Sequence, residues 1–404
     1  MNLRLTPKNL TGEISAISSK SCAHRLLICA SLADRPTKIV CNQRNRDIDA
    51  TVDCLCAMGA EITWHRGVFT VSPAITQDFA RLNCGESGST LRFLLPVLCA
   101  LGQKAEVKME GRLPQRPLEP LWSELISHGA LLQRPAEDTL SVAGELTGTS
   151  FTVDAGVSSQ YISGLLFALP LLGGGTVRLT GKVESRNYIT MTLDALSAFG
   201  VDTAWEKDTI SVFSAGYVSP GCMTVEGDWS NAAFWFAADC LSSEKVTCTG
   251  LRKDSSQGDK AVTEALSAIR AGNAVIDASQ IPDLVPILAV VASLTEGVTK
   301  FVNAARLRLK ESDRIEAVCR LLRDLGGAAE ATEDELTVYG QRRLRGGATH
   351  SRNDHRIAMS AAIASIGCED PVVIQHAQAV EKSYPTFFAD FVKLGGCVTQ
   401  EEEV

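Results

Sequence analysis

No stretch of this 404-residue chain approaches the ~18 consecutive apolar residues that a membrane-crossing helix needs. The longest apolar runs, such as residues 284–294, stop well short of that, so no transmembrane helix is expected. Residues 1–10 contain no apolar core of the kind a secretory leader carries, which argues against export. Cysteine is plentiful, at 13 residues, but zinc-like spacing is absent: Cys54 and Cys56 form a C-x-C with no partner pair. No metal is therefore expected, and the thiols should be free and buried in a reducing cytoplasm. A positive balance is also lacking. The 39 Lys and Arg residues are outnumbered by 47 Asp and Glu, for a net charge of −8. That argues against general nucleic-acid binding. It leaves small anionic substrates open, because the local field matters more to them than the total charge.

What is present is one pattern used six times. A small, polar opening leads into an apolar helix and a short strand; a second, amphipathic helix then stops at glycine. The stops fall at Gly59, Gly129, Gly200, Gly272, Gly326 and Gly395, mostly about seventy residues apart, the mark of a repeated supersecondary unit. The spacing predicts first helices over residues 20–33, 86–101, 158–172, 229–241, 282–294 and 353–366, apolar on nearly all sides and so buried. Strands follow at 37–41, 105–109, 176–179, 245–248, 299–302 and 372–374. Second helices follow at 48–58, 117–128, 188–199, 260–271, 313–325 and 386–394, each with one polar face. Strand pairs such as 61–64 with 68–71 complete a βαβαββ unit. The fold class is therefore α/β (α+β). Three units packed around their buried helices would make each of two similar domains, in an inside-out, barrel-like arrangement. The expected domains are residues 13–219 and residues 1–12 plus 220–404, with two chain crossovers as the hinge. Residues 1–11, too short for a unit, would lend the second domain a strand. Apolar content of 45% and a mean hydropathy of +0.06 suit a soluble protein with a large core.

The starts of the six buried helices attract attention, because helix N-termini expose free N–H groups and carry partial positive charge. Pointed at one cleft, they favour phosphate and carboxylate. Lys20, Ser21 and Arg25 open the first helix. The loop CGESGSTLR, with Gly88, combines glycines, hydroxyls and an arginine. Arg112 and Arg116 lie in a proline-stiffened loop. Ser158, Ser159 and Gln160 open the third helix, and Ser185 to Tyr188 enter a second helix with a similar mixture. Each cluster also reads as an ordinary cap or a solvated charge. In the second half, Asp283 heads an apolar helix, where aspartate is equally a good cap. Lys310, Glu311, Ser312, Asp313 and Arg314 crowd another helix entrance. Asn353 to Arg356 put a cation at the head of a very apolar helix, and Lys382 precedes the last one.

Taken in order, SKSCAHR, CGESGSTLR, LPQRPLEPL, VSSQYISGLL, ESRNYITMTL, QIPDLVP, LRLKESDRI, NDHRIAM and EKSYPTF span almost the whole chain. With these motifs the chain closely resembles the 3-phosphoshikimate 1-carboxyvinyltransferases, or 5-enolpyruvylshikimate-3-phosphate synthases, of the enolpyruvyl transferase family. The resemblance implies two three-unit domains closing over the substrates. It implies transfer of the enolpyruvyl group of phosphoenolpyruvate to the 5-hydroxyl of shikimate 3-phosphate, with release of phosphate, and no cofactor or metal. It implies that Lys20 contacts both substrates. Ser21, Arg25, Ser158, Ser159, Ser185, Tyr188, Asp283 and Lys310 would hold shikimate 3-phosphate. Gln160 would stand between the substrates. Gly88, Arg116, Arg314, Arg356 and Lys382 would hold phosphoenolpyruvate. Asp283, Glu311, Lys20 and Lys382 are the acid–base candidates.

Two positions depart from the family pattern: Glu86 and Arg306 stand where asparagine is common. A carboxylate at Glu86 would repel phosphoenolpyruvate unless it turns away or pairs with a cation. Gly88 keeps the loop small, so the herbicide glyphosate is expected to bind in the phosphoenolpyruvate position. A monomer is expected, resting open, because an empty cationic cleft should resist closure. Two other functions stay in view. A UDP-N-acetylglucosamine enolpyruvyl transferase would be expected to carry a reactive cysteine in the loop at 112–117, where none occurs. A non-catalytic binding protein on the same fold would have no need of acids and bases at matching positions.

Overall fold

The computed structural model of the protein describes residues 1–73, 78–213 and 216–401. The chain forms two compact units, Ser18–Glu226 and Met1–Ile17 with Gly227–Val404. The crossings at 17/18 and 226/227 lie later in the chain than the expected 12/13 and 219/220, for reasons of strand pairing. Gly12–Ser15 pairs in parallel with Val246–Thr249 and so belongs to the second unit. Cys222–Thr224 pairs in parallel with Thr37–Val40 and so belongs to the first.

The repeat is visible in the sheets. In the second copy the strand order is Phe79–Asn83, Lys104–Lys108, Thr139–Ala143, Leu131–Ala136; the first pair is parallel and the others antiparallel. The third and fifth copies repeat this order. The first copy borrows its outer parallel strand from Cys222–Thr224. In the sixth, Asn2–Thr6 lies between Val372–Gln375 and Cys397–Glu401. The fourth copy departs from the expected βαβαββ. Among the described residues its sheet has only Gly12–Ser15 and Val246–Thr249, because the chain runs from the helix Val262–Arg270 straight into the strand Val275–Asp277 of the next copy. Among the described residues the six sheets are separate and open, and none closes into a barrel.

The first helix of each copy is Lys20–Ser31, Gly88–Ala100, Ser159–Ala168, Trp229–Leu241, Val285–Ser293 and His355–Ala364. All nine residues of Val285–Ser293 and all ten of His355–Ala364 are buried. Such helices owe their stability to packing, each buried Leu, Ile or Val contributing about 1.5–3 kcal/mol. The Gly88–Ala100 and Ser159–Ala168 helices meet at Gly164, where a Cβ would collide with the carbonyl oxygen of Arg92. The second helices end as the glycine stops require. Gly59, Gly129, Gly200, Gly272, Gly326 and Gly395 all have positive φ, between 74° and 119°. At five of them the next N–H returns to the last helical turn, as in Ala60 N to Leu55 O and Gly327 N to Leu322 O.

None of the thirteen cysteines forms a disulfide; Cys222 and Cys397 are exposed, contrary to the expectation of uniformly buried thiols, because both lie on sheet-edge strands. Among the described residues, no helix is long and apolar enough to cross a membrane.

Candidate active site

In the first unit the candidate residues gather at helix starts. Ser19 caps the first helix by accepting from Cys22 N, which leaves Lys20 as its first residue. Lys20 Nζ lies 2.7 Å from Asp47 Oδ2, both largely buried. One turn on, Arg25 is 3% exposed. It donates through Nε to Thr192 Oγ1 (2.9 Å), through Nη1 to Ser21 O (2.6 Å) and through Nη2 to Tyr188 O (2.8 Å). Its guanidinium also lies 5.0 Å from the Phe93 ring centroid. Burial lowers the Arg25 pKa to about 10, since no carboxylate is among these partners.

Gly88 begins the second buried helix after the cap Ser87. A Cβ at Gly88 would lie 2.5 Å from Arg92 Nη1 and 2.7 Å from Arg116 Nη1, so two guanidinium groups crowd this position and a larger residue would have to displace them. Arg92 donates to Gln160 Oε1 (3.2 Å) and Pro117 O (3.0 Å), while Gln160 Nε2 donates to Ser89 Oγ (2.9 Å). These bonds fix which way the Gln160 amide points. Ser158 caps the third helix, accepting from Gln160 N at 3.3 Å, and Ser159 is buried behind it. Ser185 is buried and left-handed, with φ 52°, and makes no capping bond to the helix Arg186–Ala198. Glu86 has its carboxylate against Gly111, where any side chain would collide with it.

The second unit is built around Arg314, which is 1% exposed. Its Nη1 lies 2.7 Å from Asp283 Oδ1, its Nη2 2.8 Å from Glu311 Oε2 and its Nε 2.8 Å from Asp354 Oδ2. Burial opposes the charge on Arg314, but Asp354, Glu311 and Asp283 more than reverse this and raise its pKa. Asp354 is fully buried; burial would raise its pKa, yet Arg314 and His355 bring it below the usual carboxylate range. Asp354 also caps the helix His355–Ala364, accepting from Arg356 N at 2.9 Å.

Asp283 stands one residue ahead of Leu284, the N-cap of the helix behind it, and not at the capping position itself. The Asp283 carboxylate faces cations instead. Besides Arg314, Lys310 Nζ is 3.4 Å from Oδ1 and Arg356 Nη2 is 3.4 Å from Oδ2. Burial lowers the Lys310 pKa to about 8, with Asp283 opposing and Arg314 and Arg306 adding to the effect. Lys382 is buried and donates to Asn353 O at 2.6 Å. Asp313 caps its helix, accepting from Glu316 N, and its other carboxylate oxygen pairs with Arg308 Nη1 at 2.8 Å.

The EPSP synthase (3-phosphoshikimate 1-carboxyvinyltransferase) family model matches residues 5–391. The chain belongs to the EPSP synthase family. Its relatives include the 3-phosphoshikimate 1-carboxyvinyltransferase of Clostridium kluyveri, 37% identical with 97% of each chain covered. That of Clostridium perfringens is 38% identical, covering 98% of this chain and 99% of the relative. Among solved structures, an EPSP synthase from Acinetobacter baumannii has a TM-score of 0.81 and 25% identity, covering 99% of this chain and 100% of that one.

For this EPSP synthase family member, each unit gathers its own share of the expected residues. The first holds Lys20, Ser21, Arg25, Gly88, Arg116, Ser158, Ser159, Gln160, Ser185 and Tyr188; the second holds Asp283, Lys310, Glu311, Arg314, Arg356 and Lys382. Sequence reasoning missed three partners: Asp47 on Lys20, Arg92 on Gln160 and Asp354 on Arg314. Arg92 had a signal, since a charge inside the otherwise apolar helix Gly88–Ala100 has to be paired.

Proposed function

We propose that the protein transfers the enolpyruvyl group of phosphoenolpyruvate to the 5-hydroxyl of shikimate 3-phosphate, by addition and elimination through a tetrahedral intermediate. Family membership supports the choice of substrates. The observation that carries the chemistry is Asp283, a carboxylate one residue ahead of the helix N-cap and faced by Arg314, Lys310 and Arg356. In the addition, the 5-hydroxyl oxygen bonds to the central enol carbon and gives up its proton, while the methylene carbon gains one and becomes methyl. In the elimination, the methyl gives a proton back, the double bond re-forms and the C–O bond to phosphate breaks. Asp283 takes the hydroxyl proton, and Glu311 or Lys382 handles the methylene proton. Both substrates are polyanions, and helix starts with Lys20, Arg25, Arg116, Arg314, Arg356 and Lys382 supply the opposing charge.

Shikimate 3-phosphate is held by Lys20, Ser21, Arg25, Ser158, Ser159, Gln160, Ser185, Tyr188, Asp283 and Lys310. Phosphoenolpyruvate is held by Lys20, Gly88, Arg116, Gln160, Arg314, Arg356 and Lys382. Glyphosate, with a carboxylate and a phosphonate, occupies the phosphoenolpyruvate position beside Gly88. The protein acts as a cytoplasmic monomer, since one chain carries every group named.

Phosphate release from phosphoenolpyruvate, with shikimate 3-phosphate or UDP-N-acetylglucosamine as acceptor, tests the reading. Release with shikimate 3-phosphate alone is expected; release only with the nucleotide sugar, or with neither, overturns it. Unchanged turnover in millimolar glyphosate would sink the inhibitor assignment.

A further inference from the structure

Arg356 is held in part by groups outside the motifs that suggested the site. It stands in the first turn of the helix His355–Ala364 and is 4% exposed. Nη1 donates to the backbone oxygen of Asp283 at 3.0 Å, and Nη2 to Ser230 Oγ at 2.6 Å. Ser230 is the second residue of the helix Trp229–Leu241 and is itself buried. A guanidinium can only donate, so Ser230 Oγ must be the acceptor in that bond. The hydroxyl keeps one proton of its own, and Ser230 lowers the pKa of the neighbouring Asp259 carboxylate, as a hydroxyl turned toward a carboxylate does. Asp259 is 4% exposed.

The segment that carries Asp259 is fastened to the same helix. Gln257 Oε1 accepts from Trp229 N at 3.0 Å, and Gln257 Nε2 donates to Gly227 O at 2.8 Å. Asp259, Ser230 and Arg356 thus form a chain of carboxylate, hydroxyl and guanidinium. Stability alone is a poor reason for it. Burial, then the charge of Asp283, push Asp259 up to about 6 against the pull of Arg356, so the ionised carboxylate is costly where it lies.

We propose that Asp259 and Ser230 are positioning residues for Arg356: the carboxylate orients the Ser230 hydroxyl, and the hydroxyl fixes the angle at which the guanidinium meets phosphoenolpyruvate. The inference rests on the reading of Arg356 as a phosphoenolpyruvate ligand. It deepens that reading, because the residues at stake touch neither substrate.

Steady-state kinetics of the full-length protein and of Ser230→Ala, Asp259→Ala and Asp259→Asn test it. Ser230→Ala and Asp259→Ala should raise the KM for phosphoenolpyruvate about tenfold, as misplacement of a ligand-holding group does, and leave the KM for shikimate 3-phosphate within about twofold. Asp259→Asn keeps an oxygen that accepts from Ser230, and should recover to within about threefold of the parent. A phosphoenolpyruvate KM unmoved in an active Ser230→Ala protein overturns the proposal. So does a parallel rise in both KM values with no recovery in Asp259→Asn, the behaviour of a merely structural residue. Should Asp259→Ala fail to fold, Ser230→Ala and Asp259→Asn decide the matter. A parent protein that releases no phosphate from the two substrates overturns the reading of the site, and the proposal with it.

Discussion

Arg25 in the first unit and Arg314 in the second are both buried arginines near a helix start, and their surroundings are opposite. Arg25 donates to a hydroxyl and two backbone carbonyls and lies over a phenyl ring. Arg314 lies against three carboxylates. Burial wins at Arg25 and lowers its pKa; carboxylates win at Arg314 and raise it. The first arrangement holds a positive charge without neutralising it, which is what a phosphate site requires. The second surrounds one cation with excess negative charge, then brings Lys310 and Arg356 to Asp283 as well. Such a network orders carboxylates more than it attracts anions. Under the proposed function, substrate holding falls chiefly to the first unit and proton handling chiefly to the second.

The sharpest way to break that division is Asp283→Asn. It keeps the shape and the contacts to Lys310 and Arg314 but removes the proton acceptor, so kcat should fall about 10²–10⁴-fold. Near-normal turnover would take the acid–base role away from the second unit. Next in size is the pair of arginines themselves. Arg314→Leu leaves Asp354 buried and uncompensated and should destabilise the protein by about 3–5 kcal/mol in denaturant titration. Arg25→Leu loses hydrogen bonds worth about 1 kcal/mol each but also removes a desolvated charge, so its net loss should be smaller. Its main effect should be weaker binding of shikimate 3-phosphate. Equal stability losses would erase the contrast.

The part of this arrangement that is local in the chain was legible in the sequence. Glycine stops, apolar first helices and amphipathic second helices all follow from short periodicities, and the six positive φ values at the stops are their physical outcome. The fourth copy is different, because strands can be left out without changing any helix pattern. The site was legible as a set of motifs but not as a network. Asp283 at a helix head fits a cap or a ligand equally well, and its partner Arg314 is 31 residues away. Arg314 and Asp354 are 40 residues apart. No periodicity links residues at such distances, so only the folded chain brings Asp354, Asp47 and Ser230 into view.

A smaller effect concerns the first unit's geometry. Gly164 permits close approach of the helices that carry Gly88 and Gln160, at the usual helix-interior cost of glycine, about 1 kcal/mol relative to alanine. Gly164→Ala places a methyl group against the Arg92 carbonyl and should destabilise by about 1–3 kcal/mol, despite the gain in helix propensity. Because Arg92 bonds Gln160, the KM for substrates should rise as well. A protein stabilised by this change would mean that the helices have room to spare, and that the crowding at Gly88 is not set by their packing.

The finest test lies in the second unit, at a cation that behaves like those of the first. Lys310 is lowered to about 8 by burial, against the pull of Asp283. A lysine lowered in the folded state binds its proton less readily there than in the unfolded chain. Its charge therefore costs stability below about 8, and the cost is relieved as pH rises from about 8 toward the ordinary lysine value of 10.5. Lys310→Met should consequently be more stable than the parent at pH 7, and the difference in Tm should shrink toward pH 10. Ligand binding should show the opposite preference. The ammonium form attracts the shikimate 3-phosphate anion, so the KM for that substrate should climb as pH passes 8, by up to about tenfold per unit. Lys310→Met should flatten this climb. A flat profile in the parent would mean that Lys310 does not meet the substrate, and would leave anion binding to the first unit and the arginines.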